Sequence, residues 1–336
     1  MSKVLFVAVN YRSYDDALCL VECLETAVHP GRFEVVVVDN TEEPEPNHSI
    51  FSKARDRNGI MIVGDGCNRG YLGGAAYGLD CYKQCVSQEN LDWVIVANCD
   101  IETDAHNLLA CLDAIAARCE CERIGVVAPR IHSTRTGADQ NPYYVRAPSA
   151  RKYRVLSLLF RSYLLALGYR SVAHLMRWVF SKPPVDSMIE DNATGSYRPG
   201  AQRIYAGHGS CMMFHRQYFQ FGGTLTYEQF LYCEEVFVGA TTEQLGLGVL
   251  YEPSVVVSHS EHGTIRLWPR RQVIRYLADA HLYAYKNYLR SRGTGSRRAL
   301  SQRVLATAGG HSQSRAIEMI SADAVTRGEV SDKEVD

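Results

Sequence analysis

The sequence predicts an α/β fold with a mostly parallel central sheet flanked by helices. Short apolar runs rich in β-branched residues alternate with amphipathic stretches along the chain. Strands that are covered on both faces have such runs, and helices between them produce parallel βαβ units. A length of 336 residues and a hydrophobic content of 46% provide the core of one large domain of roughly 250 residues with an added helical segment.

The predicted strands and helices follow one another in a regular order. Helices are predicted in the first part of the chain at about 15–28, after Asn68 and at about 104–118. Beyond residue 200 the sequence predicts a mostly helical stretch over residues 227–245 and an amphipathic, tyrosine-rich helix over 272–289. Strands are predicted at residues 4–9, 35–38, 60–63, 93–97, 125–128, 204–214, 249–252 and 255–258.

An insert interrupts this alternation over residues 132–200. It begins as a polar, proline-containing loop and continues, between Arg151 and Lys182, with seven basic residues among large apolar ones. No acidic residue occurs from Gln140 to Val185. A basic, apolar helix of this kind can lie on an anionic membrane surface, close to a lipid-linked acceptor. The alternative is a packed helical lid or a subunit interface.

The chain is divided into three parts by this pattern. Residues 1–262 form the main domain, including the insert, and residues 263–290 form a C-terminal helix that packs on it. Residues 291–336 are rich in Ser, Arg and Gly and then acidic, a composition typical of a flexible tail. The tyrosine-rich helix is also a candidate contact for a homo-oligomer.

The composition argues against several classes of protein. A net charge of −1 lacks the basic field of nucleic-acid-binding proteins, and no apolar run reaches the 18 residues of a membrane span. The eleven cysteines contain no paired C-x-x-C spacing, and the N-terminal run reads as a strand. We therefore expect reduced thiols in the cytoplasm, without structural zinc, and a peripheral position on the inner membrane face if the insert binds lipid.

Two aspartates follow the ends of predicted parallel strands, where α/β sheets bind their ligands. Asp39 follows four valines in the run Val-Val-Val-Val-Asp-Asn. Its carboxylate can accept hydrogen bonds from a base or a ribose, and the alternative is that it caps the next helix. Asp100 ends Asn98-Cys99-Asp100, which offers a carboxylate and an amide oxygen after an apolar strand. Such oxygen ligands suit Mg²⁺ or Mn²⁺ on a diphosphate.

A glycine-rich stretch follows the third strand and opens a helix. It begins at Asn68, and Gly70, Gly74 and Gly78 fall four residues apart on one helical face. The missing side chains allow a ligand or another backbone to come close, and tight packing on the sheet is the alternative. The stretch is neither the G-x-G-x-x-G of dinucleotide-binding proteins, which follows the first strand, nor a P-loop.

The second half of the sequence contains three more candidate sites. Small residues from Gly207 to Ser210 leave room for an acceptor or a sugar, or else form a bulge. Glu234 and Glu235 are adjacent carboxylates in an aromatic setting that favours a raised pKa and general-base catalysis, whereas an exposed helical pair is the alternative. His259 ends a strand and is a candidate metal ligand, with His262 as a competitor.

In this order, the motifs resemble the inverting nucleotide-sugar glycosyltransferases of family 2, which have the GT-A fold, and in particular their rhamnosyltransferase-like branch. The resemblance covers about residues 3–262. It rests on these motifs in sequence order: Val-Asn-Tyr-Arg-Ser with Asn10, Val-Val-Asp-Asn, Asn-Arg-Gly-Tyr-Leu-Gly-Gly, Asn-Cys-Asp, Gly-His-Gly-Ser-Cys-Met-Met-Phe, Phe-Leu-Tyr-Cys-Glu-Glu and the stretch from Pro253 to His259.

The resemblance implies a Rossmann-like GT-A domain that uses Mn²⁺ or Mg²⁺. The donor would be a dTDP- or UDP-sugar, and the acceptor a glycan or lipid-linked glycan in surface polysaccharide synthesis. It implies that Glu235 is the catalytic base, with Glu234 beside it, and that Asp100 and His259 hold the metal. The implied donor-binding residues are Asn10, Asp39, Asn68, Gly70, Gly74 and Asn98.

The sequence departs from this family at the catalytic pair and just after it. The family pair is usually Glu-Asp and here is Glu-Glu, and a further acid that often follows two positions later is Phe237 here. These departures motivate a second hypothesis, a nucleotide-sugar-binding scaffold subunit without turnover. A sugar nucleotidyltransferase is disfavoured, because residues 10–14 lack the glycines of a triphosphate-binding loop.

Overall fold

The computed structural model describes residues 2–44, 48–50, 52, 58–85, 91–169, 171, 200–261 and 270–293. Its described part is built around a nine-stranded sheet, β1 to β9, with the spatial order β3-β2-β1-β4-β8-β6-β9-β5, and β7 pairs with β9. The strands are β1 Val4–Asn10, β2 Phe33–Asp39, β3 Ile60–Val63, β4 Trp93–Asn98, β5 Ile101–Glu102, β6 Ile124–Ser133, β7 Gln202–Ile204, β8 Cys211–His215 and β9 Gly248–His259.

Helices cover both faces of this sheet. Strands β1 to β4, β6 and β9 run in one direction, and β5, β7 and β8 run against them, so the sheet is mixed and mostly parallel. The described helices include α1 Tyr14–Leu24, α2 Tyr71–Cys85, α3 Ala105–Cys121, α4 Ala150–Leu159, α5 Arg216–Gln220, α6 Glu234–Gln244 and α7 Arg271–Ala284, which continues as a π-helical turn over Tyr285–Leu289.

Alternate residues of the strands belong to two different core clusters. Val4 and Phe6 pack with α1 and α3 on one face, whereas Leu5 and Val7 pack with α2, α6 and the end of α7 on the other. Side chains of a strand point alternately to its two faces, so a continuous apolar run is needed where both faces are covered. This is the physical basis of the predicted α/β class, which the structure confirms.

The strand register gathers polar residues at one edge of the sheet. Asn10 pairs with Asp39 across β1 and β2, and Val9 pairs with Asn98 across β1 and β4. The carboxyl ends of these parallel strands therefore meet, as expected for a binding edge. On the other half of the sheet, Ile101 pairs with His259, which brings the end of β9 to the segment that follows β4.

Three element boundaries differ from the sequence prediction. The strand predicted over 204–214 is two strands, β7 and β8, which pair with different neighbours. The two strands predicted over 249–258 are one, β9, with an irregularity opposite Pro129 and Arg130. The helix predicted over 227–245 begins only at Glu234, because Tyr232 and Cys233 have left-handed backbone angles, with φ of 75° and 64°.

The described part of the insert packs against α7. Leu156, Phe160 and Ala166 of the insert form a separate small core with residues of α7, and residues 163–169 are helical. Residues 172–199 of the insert, and so part of the basic stretch 151–182, lie outside the described residues, as does the predicted tail beyond residue 293. Within the described part, no helix has both the length and the apolarity to cross a membrane.

Candidate active site

The carboxylate of Asp39 is held at the end of β2 by three neighbours. Its Oδ1 accepts hydrogen bonds from the Asn10 side chain (3.4 Å) and the backbone N–H of Thr41 (3.1 Å), and its Oδ2 accepts one from the Tyr14 hydroxyl (2.7 Å). Asn10 in turn accepts from the N–H of Ser13, just before α1. Asp39 is thus a buried, oriented acceptor rather than a helix cap, and its Oδ2, which accepts one hydrogen bond, still has a lone pair for a ligand.

Asn40, which is not among the site residues predicted from the sequence, connects this edge to the glycine-rich stretch. Its Nδ2 donates to the carbonyl of Gly70 at 2.7 Å. Its Oδ1 is buried and has no hydrogen-bond partner among the described residues. The signal available in the sequence was the pair of polar residues that follows four valines.

Close contacts within the protein explain two glycines of this stretch, Gly70 just before α2 and Gly74 within it. A Cβ at Gly70, whose φ is +71°, would lie 1.8 Å from the carbonyl oxygen of Phe230, and one at Gly74 would lie 2.6 Å from Nδ2 of Asn40. Asn68 accepts a hydrogen bond from the N–H of Gly70 at 3.1 Å and so shapes this turn. These contacts support the packing interpretation, and donor binding by the glycines and Asn68 stays a prediction.

Asp100 and His259 come together across the sheet edge. His259 Nε2 lies 3.3 Å from Oδ1 of Asp100, and both side chains are largely buried. The N–H of Ser260 donates to the carbonyl of Asp100 at 2.9 Å, which fixes the two backbones against each other. Asn98, two residues earlier, is tied to Ser210 through its backbone N–H, and its side chain is half-buried.

A hydrogen-bonded chain behind His259 fixes which ring nitrogen faces Asp100. Gln140 Nε2 donates to Glu261 at 2.9 Å, so its Oε1 faces His259 Nδ1, at 2.8 Å. Because an amide oxygen only accepts, Nδ1 carries the proton, and the lone pair of neutral His259 is on Nε2, toward Asp100. Burial is the largest single influence on the pKa of Glu261 and raises it. The hydrogen bonds from Ser133 and Arg135, together with the charge of Arg135, outweigh burial, so the pKa of Glu261 is lowered.

This arrangement fits a divalent cation held by two protein ligands. Among the described residues there is no group of three or more His, Cys, Asp or Glu side chains arranged to hold a metal. A carboxylate oxygen and an imidazole nitrogen that face each other, with the second imidazole nitrogen hydrogen-bonded, are a ligand pair that suits Mn²⁺. The remaining ligands would be phosphate oxygens and water, as is usual for Mg²⁺ and Mn²⁺ sites. The competitor His262 lies outside the described residues.

His208 lies beside His259 and is not among the site residues predicted from the sequence. Its ring centroid lies 6.0 Å from that of His259, and burial, followed by repulsion from His259, lowers its pKa to about 4. Its Nδ1 accepts from the N–H of Ser210 at 3.2 Å, so the neutral ring carries its proton on Nε2. A histidine between Gly207 and Gly209 was the signal available in the sequence.

The two glutamates lie at the start of α6, directly after the left-handed residues Tyr232 and Cys233. Glu234 folds back and accepts the N–H of Tyr232 at 2.8 Å, a role that stabilises the turn itself. Glu235 accepts the N–H of Gly209 at 3.2 Å. The two carboxylates therefore have different partners. Glu234 stabilises the turn, and Glu235 contacts Gly209 in the segment just before β8.

Both glutamates have raised pKa values. Burial, followed by repulsion from Glu235, raises the pKa of Glu234 to about 8, and burial also raises the pKa of Glu235. Hydrogen bonds from backbone N–H groups oppose these shifts. A carboxylate with a raised pKa is better matched to proton transfer near neutral pH, so the exposed-pair alternative does not apply.

Gly209 links the two halves of the candidate site. Its carbonyl accepts the Tyr71 hydroxyl at 2.6 Å, while its N–H binds Glu235. The preceding residue, His208, lies against His259 and so near Asp100. Although they are far apart in sequence, Glu235 and the Asp100–His259 pair are therefore connected through His208 and Gly209.

Phe237 does not face this site. It is buried in the core and its ring stacks on Tyr227, with centroids 5.1 Å apart, and Tyr288 packs beside it at 5.9 Å. Tyr283 of α7 packs against Tyr227 as well. Several tyrosines of the C-terminal helix are thus used within the chain, and the predicted homo-oligomer contact stays a prediction.

Comparisons with known proteins give a likeness of fold and none of sequence. No protein-family profile matches the chain, and no curated protein sequence matches it. A crystal structure of GalNAc-T7 with UDP, GalNAc and Mn²⁺ is similar over 91% of this chain and 53% of that one, with a TM-score of 0.52 and 13% identity. A structure of S. aureus TarS 1-349 with UDP-GlcNAc matches over 90% of this chain and 77% of that one, with a TM-score of 0.46 and 11% identity.

The fold is accordingly GT-A, with a mixed, mostly parallel sheet flanked by helices. The chain spans about half the length of the GalNAc-T7 structure that it matches. The fold alone does not define a reaction, because one fold supports many chemistries.

Proposed function

We propose that this protein is an inverting glycosyltransferase that moves a sugar from a nucleoside-diphosphate sugar to an acceptor hydroxyl. The observation that carries the proposal is that Glu235, a half-buried glutamate with a raised pKa, and the aspartate–histidine pair at the sheet edge are connected through the segment His208–Gly209. A transferase of this kind needs a base for the acceptor and positive charge near the leaving diphosphate, and the two halves of the site supply residues for each.

Asp39 and Asn10 are the proposed contacts for the nucleoside. The oriented Asp39 carboxylate at the end of β2 suits a base N–H or a ribose hydroxyl, and its three protein hydrogen bonds hold it in place before a ligand binds. Preorganised acceptors bind with little loss of entropy. Asn40, Asn68 and Asn98 line the same edge and are proposed to complete the donor pocket.

Asp100 and His259 are the proposed ligands for Mn²⁺ or Mg²⁺. A divalent cation bound there would supply positive charge against the diphosphate as it leaves. The GalNAc-T7 crystal structure contains Mn²⁺ together with UDP, which agrees with this proposal. Gln140 holds His259 in the tautomer whose Nε2 is free to bind a metal.

Glu235 is the proposed catalytic base. Its carboxylate takes the proton of the acceptor hydroxyl while the hydroxyl oxygen forms a bond to the anomeric carbon. The bond from that carbon to the diphosphate oxygen breaks with its electron pair, and the nucleoside diphosphate leaves. A single displacement of this kind inverts the configuration. Surface polysaccharide synthesis, with a glycan or lipid-linked acceptor and a dTDP- or UDP-sugar donor, is the proposed setting.

A thermal-shift screen tests the proposal with UDP, dTDP, GDP and CMP, each with and without Mn²⁺. A ligand that binds only the folded state raises the melting temperature, so we expect a metal-dependent rise with one nucleoside diphosphate. Release of that nucleoside diphosphate from its sugar ester should then require an acceptor. No shift with any nucleotide would contradict the proposal. A shift without turnover, with any acceptor tried, would support the scaffold hypothesis instead.

A further inference from the structure

The helical insert has apolar residues on two of its faces. On its inner face, Leu156, Phe160 and Ala166 are buried against Ile274, Leu277 and Ala278 of α7. This contact already satisfies the apolar face that an amphipathic helix normally buries. The outer face is nevertheless apolar as well. Leu164 and Leu165 are 78% and 60% exposed, and Val155 and Leu158 are about half exposed.

The exposed positions from Arg151 to Leu165 make up the outer stripe, which runs over α4 and, beyond a turn at residues 160–162, over the helical residues 163–169. Within each helix the exposed positions recur at intervals of three or four residues, the spacing of a helical face, and those before Gly168 carry aliphatic or arginine side chains. Four of the seven large hydrophobic side chains exposed in the described part of the protein lie in this stripe. The outer stripe is defined here as Arg151, Arg154, Val155, Leu158, Arg161, Leu164 and Leu165.

The charge of this stripe is of one sign. Arg151, Arg154 and Arg161 are exposed and make no ion pair within the described residues. Arg271 of α7 adds a further guanidinium, 5.4 Å from the ring of Tyr163. No acidic residue occurs in the sequence from Gln140 to Val185. The insert therefore presents leucine side chains bordered by cations, with no acid of its own among them.

We propose that the outer stripe binds the surface of an anionic lipid bilayer. Arginines close to such a surface are attracted by the phosphate groups, and the leucines enter the boundary between headgroups and acyl chains. A protein partner of ordinary composition would need its own acidic face, whereas an anionic membrane supplies a continuous one. The charge complementarity therefore favours lipid over a second copy of this chain, whose identical stripe would bring arginines against arginines.

The insert is also joined to the candidate active site. The hydroxyls of Tyr153 and Tyr144 are 2.9 Å apart, and Tyr144 exchanges backbone hydrogen bonds with Ala206, two residues before His208. Tyr143 packs its ring edge-on against His208, with centroids 5.1 Å apart. Binding of the outer stripe would thus hold His208 and the candidate site beside it near the membrane surface. Membrane binding itself does not depend on the proposed function.

Flotation of the full chain with lipid vesicles tests this inference, without any donor or acceptor. We expect binding to vesicles of equal parts phosphatidylcholine and phosphatidylglycerol, weakened by salt, and little binding to phosphatidylcholine alone. Neutralising the charges in the triple variant Arg151→Gln, Arg154→Gln, Arg161→Gln should lower the partition coefficient by about a hundredfold, at roughly fivefold for each arginine removed. The double variant Leu164→Ser, Leu165→Ser should also bind more weakly.

Two controls separate this inference from misfolding and from other surfaces. All substituted side chains are exposed, so the melting temperature and the nucleotide-induced shift should match those of the wild-type protein. Phe221→Ser removes an aromatic side chain that is 46% exposed elsewhere, and should leave flotation unchanged. Wild-type protein that stays with the unbound fraction, or variants that float like wild type, would overturn the inference. So would a concentration-dependent dimer in sedimentation that the leucine changes abolish.

Discussion

His259 Nε2 lies 3.3 Å from Oδ1 of Asp100. The orientation of the ring is fixed because the Nδ1–H group of His259 donates a hydrogen bond to Gln140, whose side chain in turn donates one to Glu261. The carboxylate of Asp100, in the segment after β4, and the Nε2 lone pair of His259, at the end of β9, thus face the same small region. A ligand pair that is oriented in this way, with its second nitrogen bonded, has the form of a metal site.

Asp100→Asn should remove Mn²⁺ binding while leaving the fold intact, because the amide has nearly the shape of the carboxylate but no charge. A neutral amide oxygen binds a divalent cation much more weakly than a carboxylate does, because the affinity of such sites depends on the charge of their ligands. Calorimetric titration with Mn²⁺, with and without the nucleoside diphosphate that raises the melting temperature, measures the change. Asp80→Asn, at an exposed position on α2, is the matched control. Equal affinity in the wild type and Asp100→Asn would refute the assignment.

Gln140→Leu should weaken Mn²⁺ binding by about 10- to 100-fold, the usual effect of losing a group that orients a metal-ligating histidine. Without the amide, the His259 ring can take either tautomer and Glu261 loses a donor. The same titration measures the effect. Gln272→Leu, which removes an exposed amide bonded to Tyr276, should have none, and an unchanged affinity in Gln140→Leu would show that the amide is not needed for orientation.

The sequence predicted the edge of the site better than its interior. Asp39 and Asp100 were recognisable because each follows an uninterrupted apolar strand, and the ends of parallel strands share one edge. Gln140 and His208 lie in segments without periodicity, so only the folded chain shows their contact with His259 and its neighbours. The left-handed turn at Tyr232 was also not predictable, because non-glycine residues seldom adopt that conformation.

Glu235→Gln should keep nucleotide binding but reduce sugar transfer by about 10²- to 10⁴-fold, the range that a general base contributes. The amide oxygen can still accept the N–H of Gly209, so the local geometry is kept. Glu234→Gln, which keeps the bond to Tyr232, is the matched control and should lose less activity. The nucleotide-induced thermal shift and the turnover number are the two measurements. Near-normal turnover in Glu235→Gln would move the base to Glu234 or elsewhere.

Stability should fall as pH rises through the titration of Glu234. The folded state raises its pKa from 4.5 to about 8, so between these values the folded protein binds more protons than the unfolded chain. The contribution of Glu234 is therefore fully present below pH 4.5 and is lost as pH rises through 8. Melting temperatures without metal from acidic to alkaline pH should fall less steeply in Glu234→Gln than in the wild type or in the exposed control Glu228→Gln. Parallel curves would exclude this linkage.

Gly70→Ala should destabilise the protein more than Gly137→Ala does. Both glycines have φ of +71°, but a Cβ at Gly70 would strike the carbonyl of Phe230, whereas one at Gly137 meets nothing within 4 Å. The backbone cost of about 1–2 kcal/mol is common to both, and overpacking adds about 1–3 kcal/mol at Gly70 alone. Denaturant unfolding of the two variants gives the difference directly. Equal losses would mean that the Phe230 contact relaxes freely.

The pair of tyrosine hydroxyls that joins Tyr144 to Tyr153 also bears on protein engineering. The helices of the insert share a small core with α7, and Tyr153 of α4 bonds to Tyr144 of the loop that precedes them. Exchange of these helices between proteins of this fold therefore has to transfer α7 and both tyrosines together. Strands β1 to β4, which carry the proposed donor contacts, can then stay unchanged. Such a graft would change the exposed surface of the insert and keep the proposed donor contacts.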